Sequence, residues 1–196
     1  MPVTINGTSG LVTATTFSGS SLSGIDTGKI LQTVTVSDSV RETSGSISLV
    51  STGTYYATPF AVTITPSATS SKILLMGHVM GEASINDYRM IWSIERAISG
   101  GATTDILAPA AGSRNRSISN FVSGFYSSEN ASTPTVINFS GLVDSPSTTS
   151  AITYTFQVAA PEESSVAFYY NRTNNDTDAV AFERGLSWIT AQEIGA

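Results

Sequence analysis

The stretch Phe60-Ala-Val-Thr-Ile-Thr65 alternates apolar with small or polar residues, and Thr33-Val-Thr-Val36 does the same with β-branched side chains on both faces. A period of two is that of a half-buried β-strand. Working outward, similar runs occupy Ser46–Ser51, Gly53–Thr58, Lys72–Met80, Tyr88–Ala97, Ser117–Tyr126, Thr135–Leu142, Ala151–Ala159, Val166–Asn171 and Leu186–Glu193. Turn chemistry separates them, at Thr65-Pro-Ser67, Ser99-Gly-Gly101, Asp144-Ser-Pro146 and Ala160-Pro-Glu-Glu163. No long window carries an apolar stripe at helical spacing with caps. Roughly ten short strands at near-regular spacing predict an all-β fold, an antiparallel β-sandwich of jelly-roll type, over residues 30–196.

Composition changes sharply before this domain. Residues 1–29 are Gly, Ser and Thr punctuated by single apolar residues: Val3, Ile5, Leu11, Val12, Phe17, Leu22 and Ile25. So few apolar groups cannot offset the entropy of ordering the segment on its own. Either it is a disordered tail or it is an extended arm ordered by packing on copies of itself or on a partner. The regular recurrence of apolar residues, which a linker does not need, favours the arm. Val3, Ile5, Leu11, Phe17, Leu22 and Ile25 are therefore the candidate attachment residues.

The chemistry available to the chain is narrow. Ser and Thr make up 57 of 196 residues, only 12% are charged, and the net charge is −6 with two lysines, Lys29 and Lys72. That argues against a nucleic-acid footprint. With no cysteine and one histidine, disulfides, thiolate catalysis and clustered histidine ligands are excluded. No signal peptide is recognisable at the N-terminus, and the longest apolar stretch, near Ile73–Met80, is too short to span a bilayer. Asp26-Thr-Gly28 spells the aspartic-protease tripeptide, and Gly24 to Lys29 superficially resembles a phosphate-binding loop. The first reads better as a turn, and the second has the wrong glycine spacing and opens no helix.

His78, on the strand face shared by Leu74, Met76 and Met80, reads as a core or interface histidine whose nitrogens find backbone partners. Asn171 to Asp178 places oxygen ligands at alternating positions but lacks the glycine and closing glutamate of a calcium loop, so a solvated hairpin loop is favoured. Glu162 and Glu163 are adjacent in a turn and should point apart, which is no glycosidase pair. No catalytic residue, metal or cofactor is predicted. Two loops could present a binding surface to a sugar or protein. One carries Arg114, Asn115 and Arg116; the other carries Phe125, Tyr126, Glu129 and Asn130, where aromatic faces beside planar donors suit hydroxyl-rich ligands.

Several phrases taken in order resemble small fibre proteins of marine and cyanobacterial tailed bacteriophages. They are Ile5-Asn-Gly-Thr-Ser-Gly-Leu11 with Thr15-Thr-Phe-Ser-Gly19 and Ser21-Leu-Ser-Gly-Ile25; Gly28-Lys-Ile-Leu-Gln32; Val62-Thr-Ile-Thr-Pro66 with Ser70-Ser-Lys-Ile-Leu74; Val143-Asp-Ser-Pro146 with Ala151-Ile-Thr-Tyr-Thr-Phe-Gln-Val158; Tyr170-Asn-Arg172; and Ser187-Trp-Ile-Thr-Ala-Gln-Glu-Ile194. Together they run over nearly the whole chain. The chain departs from the pattern at Phe156, where lysine is common, and at Trp188, where a small residue or methionine is usual. The resemblance implies a non-enzymatic virion protein made in the host cytoplasm, with a β-sandwich head on an N-terminal attachment segment. It implies a homotrimer that contacts other virion proteins and a host-surface glycan or protein, with no membrane insertion. A capsid decoration or collar protein without a receptor is the other reading. A β-domain with few charges suits a particle in salt water, since it does not lean on ion pairs that salt screens.

Overall fold

The computed structural model describes residues 29–85, 87–123 and 132–195. Among these residues eleven strands and one short helix follow in order: β1 (Ile30–Thr35), α1 (Asp38–Glu42), β2 (Gly45–Leu49), β3 (Tyr56–Ile64), β4 (Lys72–Ala83), β5 (Asp87–Ile98), β6 (Thr103–Ile106), β7 (Ser119–Ser123), β8 (Thr135–Asp144), β9 (Ile152–Ala159), β10 (Val166–Tyr170) and β11 (Trp188–Ile194). Every pairing is antiparallel and the pairs are nested: β1 with β11, β2 with β10, β3 with β9, β4 with β8 and β5 with β7. The chain is one long hairpin rolled up on itself. Rolling adds the contacts of β4 with β10 and β11 and of β5 with β9. Sheet A therefore contains β1-β11-β4-β8 with β10 and β2, and sheet B contains β3-β9-β5 with β6 and β7. This is the jelly-roll connection of two packed sheets.

Alternation sets the core. Phe60, Val62 and Ile64 of β3, Ile73, Leu75 and Val79 of β4, and Tyr154, Phe156 and Val158 of β9 all point between the sheets and are buried. On the inner face of β4, Gly77 and Gly81 leave room for aromatic rings to lie over the backbone. A Cβ on Gly77 would overlap the ring of Phe139, and one on Gly81 the ring of Phe168. Phe139 in turn packs on Trp92, with ring centroids 5.1 Å apart, and Trp92 on Phe156 at 5.4 Å. The two sheets are also tied by polar contacts. Arg96 of β5 meets Asp144 of β8 at 2.9 Å, and the buried Tyr154 hydroxyl donates to the other Asp144 oxygen at 2.7 Å. Burial, followed by that carboxylate, pushes the Tyr154 phenol well above its usual range.

Some elements differ from the sequence reading. Gly53–Thr58 and Phe60–Thr65 are not two strands: Tyr56–Thr58 and Phe60–Ile64 lie in one, β3, whose register shifts between Ala57 and Ala61, while Gly53–Tyr55 precede it. Pro59 is the cause, since it cannot donate to a ladder and is tolerated at a bulge. Thr58 repairs the gap: its hydroxyl donates to the Phe156 carbonyl at 2.8 Å and accepts from the Phe60 amide at 3.2 Å. The short exposed strand β6 and the single-turn helix α1 were also not foreseen. Glu162 and Glu163 do not point apart, because both reach the guanidinium of Arg89.

The registers give the sandwich two ends. Ile30, Lys72, Asp144, Ile152 and Ile194 mark one, here the lower end. Gly81, Ala83, Ala159 and Thr135 lie toward the upper end, as do the residues flanking segment 124–131, Ser123 and Ser132. At the lower end Glu193, 1% exposed, accepts from the Ser67 amide and hydroxyl, the Ser71 hydroxyl and the Gln32 amide, which locks the β3–β4 connection onto β11.

Two predictions follow from these contacts. Gly77→Ala should cost about 2 kcal/mol in urea unfolding, because the Phe139 ring is wedged against Trp92 and has no easy retreat. Phe139→Leu should relieve part of it, so a strictly additive double variant would contradict the packing account. Burial pushes the Glu193 carboxyl up, but its hydrogen bonds from the two serines and Gln32 outweigh burial and hold it at about 2 against the usual 4.5. Its stabilisation is whole above about pH 4.5 and is lost as pH falls toward 2. Glu193→Gln should flatten the acid limb of the stability curve; an unchanged limb would show that this carboxylate carries none of it.

Candidate functional site

The loop carrying Arg114, Asn115 and Arg116 joins β6 to β7 and folds over the outer face of sheet B toward the β2–β3 turn. Its position is set by the backbone more than by the arginines. The Tyr55 hydroxyl donates to the Arg116 carbonyl at 2.6 Å, and Arg116 Nε donates to the Ala108 carbonyl at 2.7 Å. Burial, with the Asp105 carboxylate nearby, pushes the Tyr55 phenol up to about 12, so it remains a proton donor at neutral pH. The loop closes through a bond from the Ala108 amide to the Ser117 carbonyl, with Gly112 in the left-handed region at φ 63°. All three candidates are exposed. Arg114 makes no side-chain hydrogen bond or ion pair among the described residues. The structure thus brings Arg114, Asn115 and Arg116 together on a tethered, solvent-facing loop in the upper half of the head. Tyr126 and Asn130 lie outside the described residues, as do the attachment candidates Val3, Ile5, Leu11, Phe17, Leu22 and Ile25.

Beside the flanks of segment 124–131 the two sheets part. β7 is on the margin of sheet B, β8 on the margin of sheet A, and a cleft of about 310 Å³ between them is lined by Trp92, Asn120, Phe121, Val136 and Asn138 among others. Its walls are an indole, amide side chains and valine, a mixture able to contact an apolar or hydroxyl-bearing group.

The loop from Asn171 to Ser187 behaves as a structural wrap. Asn171, left-handed at φ 59°, donates from its side chain to the carbonyls of Arg41 and Thr43 and accepts from the Ser187 hydroxyl. The wholly buried Glu82 of β4 accepts from the Thr133 amide and hydroxyl and from the Asn174 amide. Asp176, which a calcium loop would offer to the cation, is bonded to Arg184 at 2.5 Å with Arg172 also close, and the Asn175 side chain is spent on Thr177. No group of three His, Cys, Asp or Glu side chains that could hold a metal occurs among the described residues.

His78 is not in the core. It lies half-buried on the outer face of sheet A, stacked on Trp188 with ring centroids 4.3 Å apart and planes 10° from parallel. Its Nδ1 pairs with the Asn138 side chain at 2.7 Å rather than with the backbone. Leu74 and Met76 share its face, as expected, but Met80 is covered, with its side chain against Gly185. The sequence did not indicate that Trp188 would be the stacking partner, because the indole comes from a strand far away in the chain.

No family model matches the chain, and no curated protein sequence matches it. Among solved structures, a chain from the structure of infectious bursal disease virus Gx strain aligns over 94% of this protein at 12% identity, with a TM-score of 0.39. One from the Gt strain aligns over 84% at 12% identity, with a TM-score of 0.38. The aligned part spans less than half of those viral chains, 45% and 41%.

Proposed function

We propose that the protein is a non-enzymatic fibre protein of a bacteriophage virion. In this reading three chains associate, residues 1–29 anchor the assembly to other virion proteins, and the jelly-roll head faces a glycan or protein on the host surface. The observation that carries the reading is the polarity of the head. β1 begins at the lower end, where the chain leaves for its Gly/Ser/Thr-rich segment, while the Arg114–Arg116 loop and the flanks of residues 124–131 lie toward the upper end. The start of β1 and the Arg114–Arg116 loop thus lie toward opposite ends of the sandwich. Several acidic residues of the head are spent on internal contacts: Glu82 and Glu193 pin loops, Asp144 ties the sheets, and Glu162 and Glu163 hold Arg89. Asp176, Asp178 and Glu183 line a pocket of about 250 Å³, where Asp176 is paired with Arg184.

Two experiments test the parts separately. Deleting residues 1–28 should leave a folded head that is no longer incorporated into particles; unchanged incorporation overturns the anchoring role. Labelled full-length protein should bind cells on which the particle forms plaques, in competition with intact particles. Arg114→Ala should weaken that binding severalfold while leaving stability within about 0.5 kcal/mol, since an exposed side chain without partners contributes little to folding. Incorporation without any cell binding would instead assign the protein a purely structural place on the capsid or collar.

A further inference from the structure

The outer face of sheet A is closed over its upper half and open over its lower half. Above, the Asn171–Ser187 wrap buries Met80 to 7% exposure and Glu82 completely. Below, no described segment lies over the sheet, and the outward positions of four adjacent strands form one continuous surface. Leu74, Met76 and His78 of β4 are flanked by Trp188, Thr190 and Gln192 of β11, then by Thr33 and Thr35 of β1, and on the other side by Asn138 and Val143 of β8. Val143 is 51% exposed and Leu31 44%. A shallow groove of about 280 Å³ runs beside Trp188, lined by Thr35, Arg41 and Thr190.

We infer that this lower half-face is where copies of the chain meet, with the stacked His78–Trp188 pair and Met76 at the centre of the contact. The inference deepens the trimeric fibre reading and rests on it. Two arguments select a second copy as the occupant. First, the open half adjoins Lys29 and Ile30, from which residues 1–28 depart. If three such segments run together, their three origins must converge, and the part of each head around β1 and β11 is what faces the axis. Second, the face is apolar or uncharged apart from Lys29 and Lys72 at its lower rim and Arg41, paired with Asp38 at 2.8 Å, at its upper rim. Gathering three such faces around a common axis removes apolar area and threonine, glutamine and asparagine groups from water without burying an unpaired ion, and leaves the charged groups at the margin. Covering the upper half of the same sheet took a dedicated loop of this chain; a neighbouring subunit does the equivalent for the lower half.

The test uses full-length protein. The natural chain has no cysteine, so a single Thr190→Cys reports on this face alone, and Thr63→Cys serves as control on the exposed outer face of sheet B. A short bis-maleimide should cross-link Thr190→Cys into covalent two-chain species and leave Thr63→Cys as single chains. Met76→Glu should lower the native mass about threefold, from trimer to monomer, with the strand-type circular dichroism retained. A full-length trimer in which Thr190→Cys stays open to a bulky maleimide and Met76→Glu leaves the mass unchanged overturns the inference. The face would then belong to another virion protein or a glycan, with the fibre reading intact. A monomeric natural chain overturns the reading on which the inference rests.

Discussion

The architecture depends on how closely other strands can approach β4. This twelve-residue strand pairs with β8 along one edge and with β11 and β10 in succession along the other, so it holds both ends of the rolled hairpin together. The glycines at 77 and 81 make this possible on the inner face, where Phe139 and Phe168 occupy the space that side chains would claim. With those rings seated, Phe139, Trp92 and Phe156 form one aromatic layer across the two sheets. The Arg96–Asp144–Tyr154 contacts then fasten the lower margin, and Glu193 draws the β3–β4 connection onto the same end. The lower end is where β1 begins, so core packing fixes the end of the head at which residues 1–28 join it.

The strands were legible in the sequence because a sheet with one buried face imposes a period of two, and β3, β8 and β9 carry it. Pro59 broke the pattern because a proline in a strand reads as a boundary, whereas the Thr58 side chain replaces the missing ladder bonds. β6 was hidden because Thr103-Thr-Asp-Ile106 packs only its last residue and carries no apolar alternation. The nested pairing could not be read, since it depends on which strands meet across the chain rather than on any local pattern. For the same reason the buried carboxylates gave no warning: Glu82 and Glu193 are satisfied by loops distant in sequence.

His78 illustrates both the reach and the limit of such reading. Its grouping with Leu74 and Met76 followed from parity alone. Which face of β4 was inside did not, because both are apolar: Ile73, Leu75 and Val79 on one, Leu74, Met76 and Met80 on the other. A strand apolar on both faces is covered on both, and here the second cover is supplied partly by the Asn171–Ser187 wrap and partly, on our account, by a neighbouring subunit. The candidate loop around Arg114 was legible as exposed and polar, while its tether through Tyr55 was not, as the two are joined only in the folded chain.

The account we propose for these features is a jelly roll with an anchor at one end, a presented surface toward the other, and a flank turned toward copies of itself. Its most direct test is a cryo-electron microscopy map of the purified full-length protein. The account predicts a three-fold particle in which the sheet A faces line the axis and a narrow projection continues from the three β1 starts. A particle of isolated heads, or one joined through the outer faces of sheet B with the β1 starts on its periphery, would contradict it.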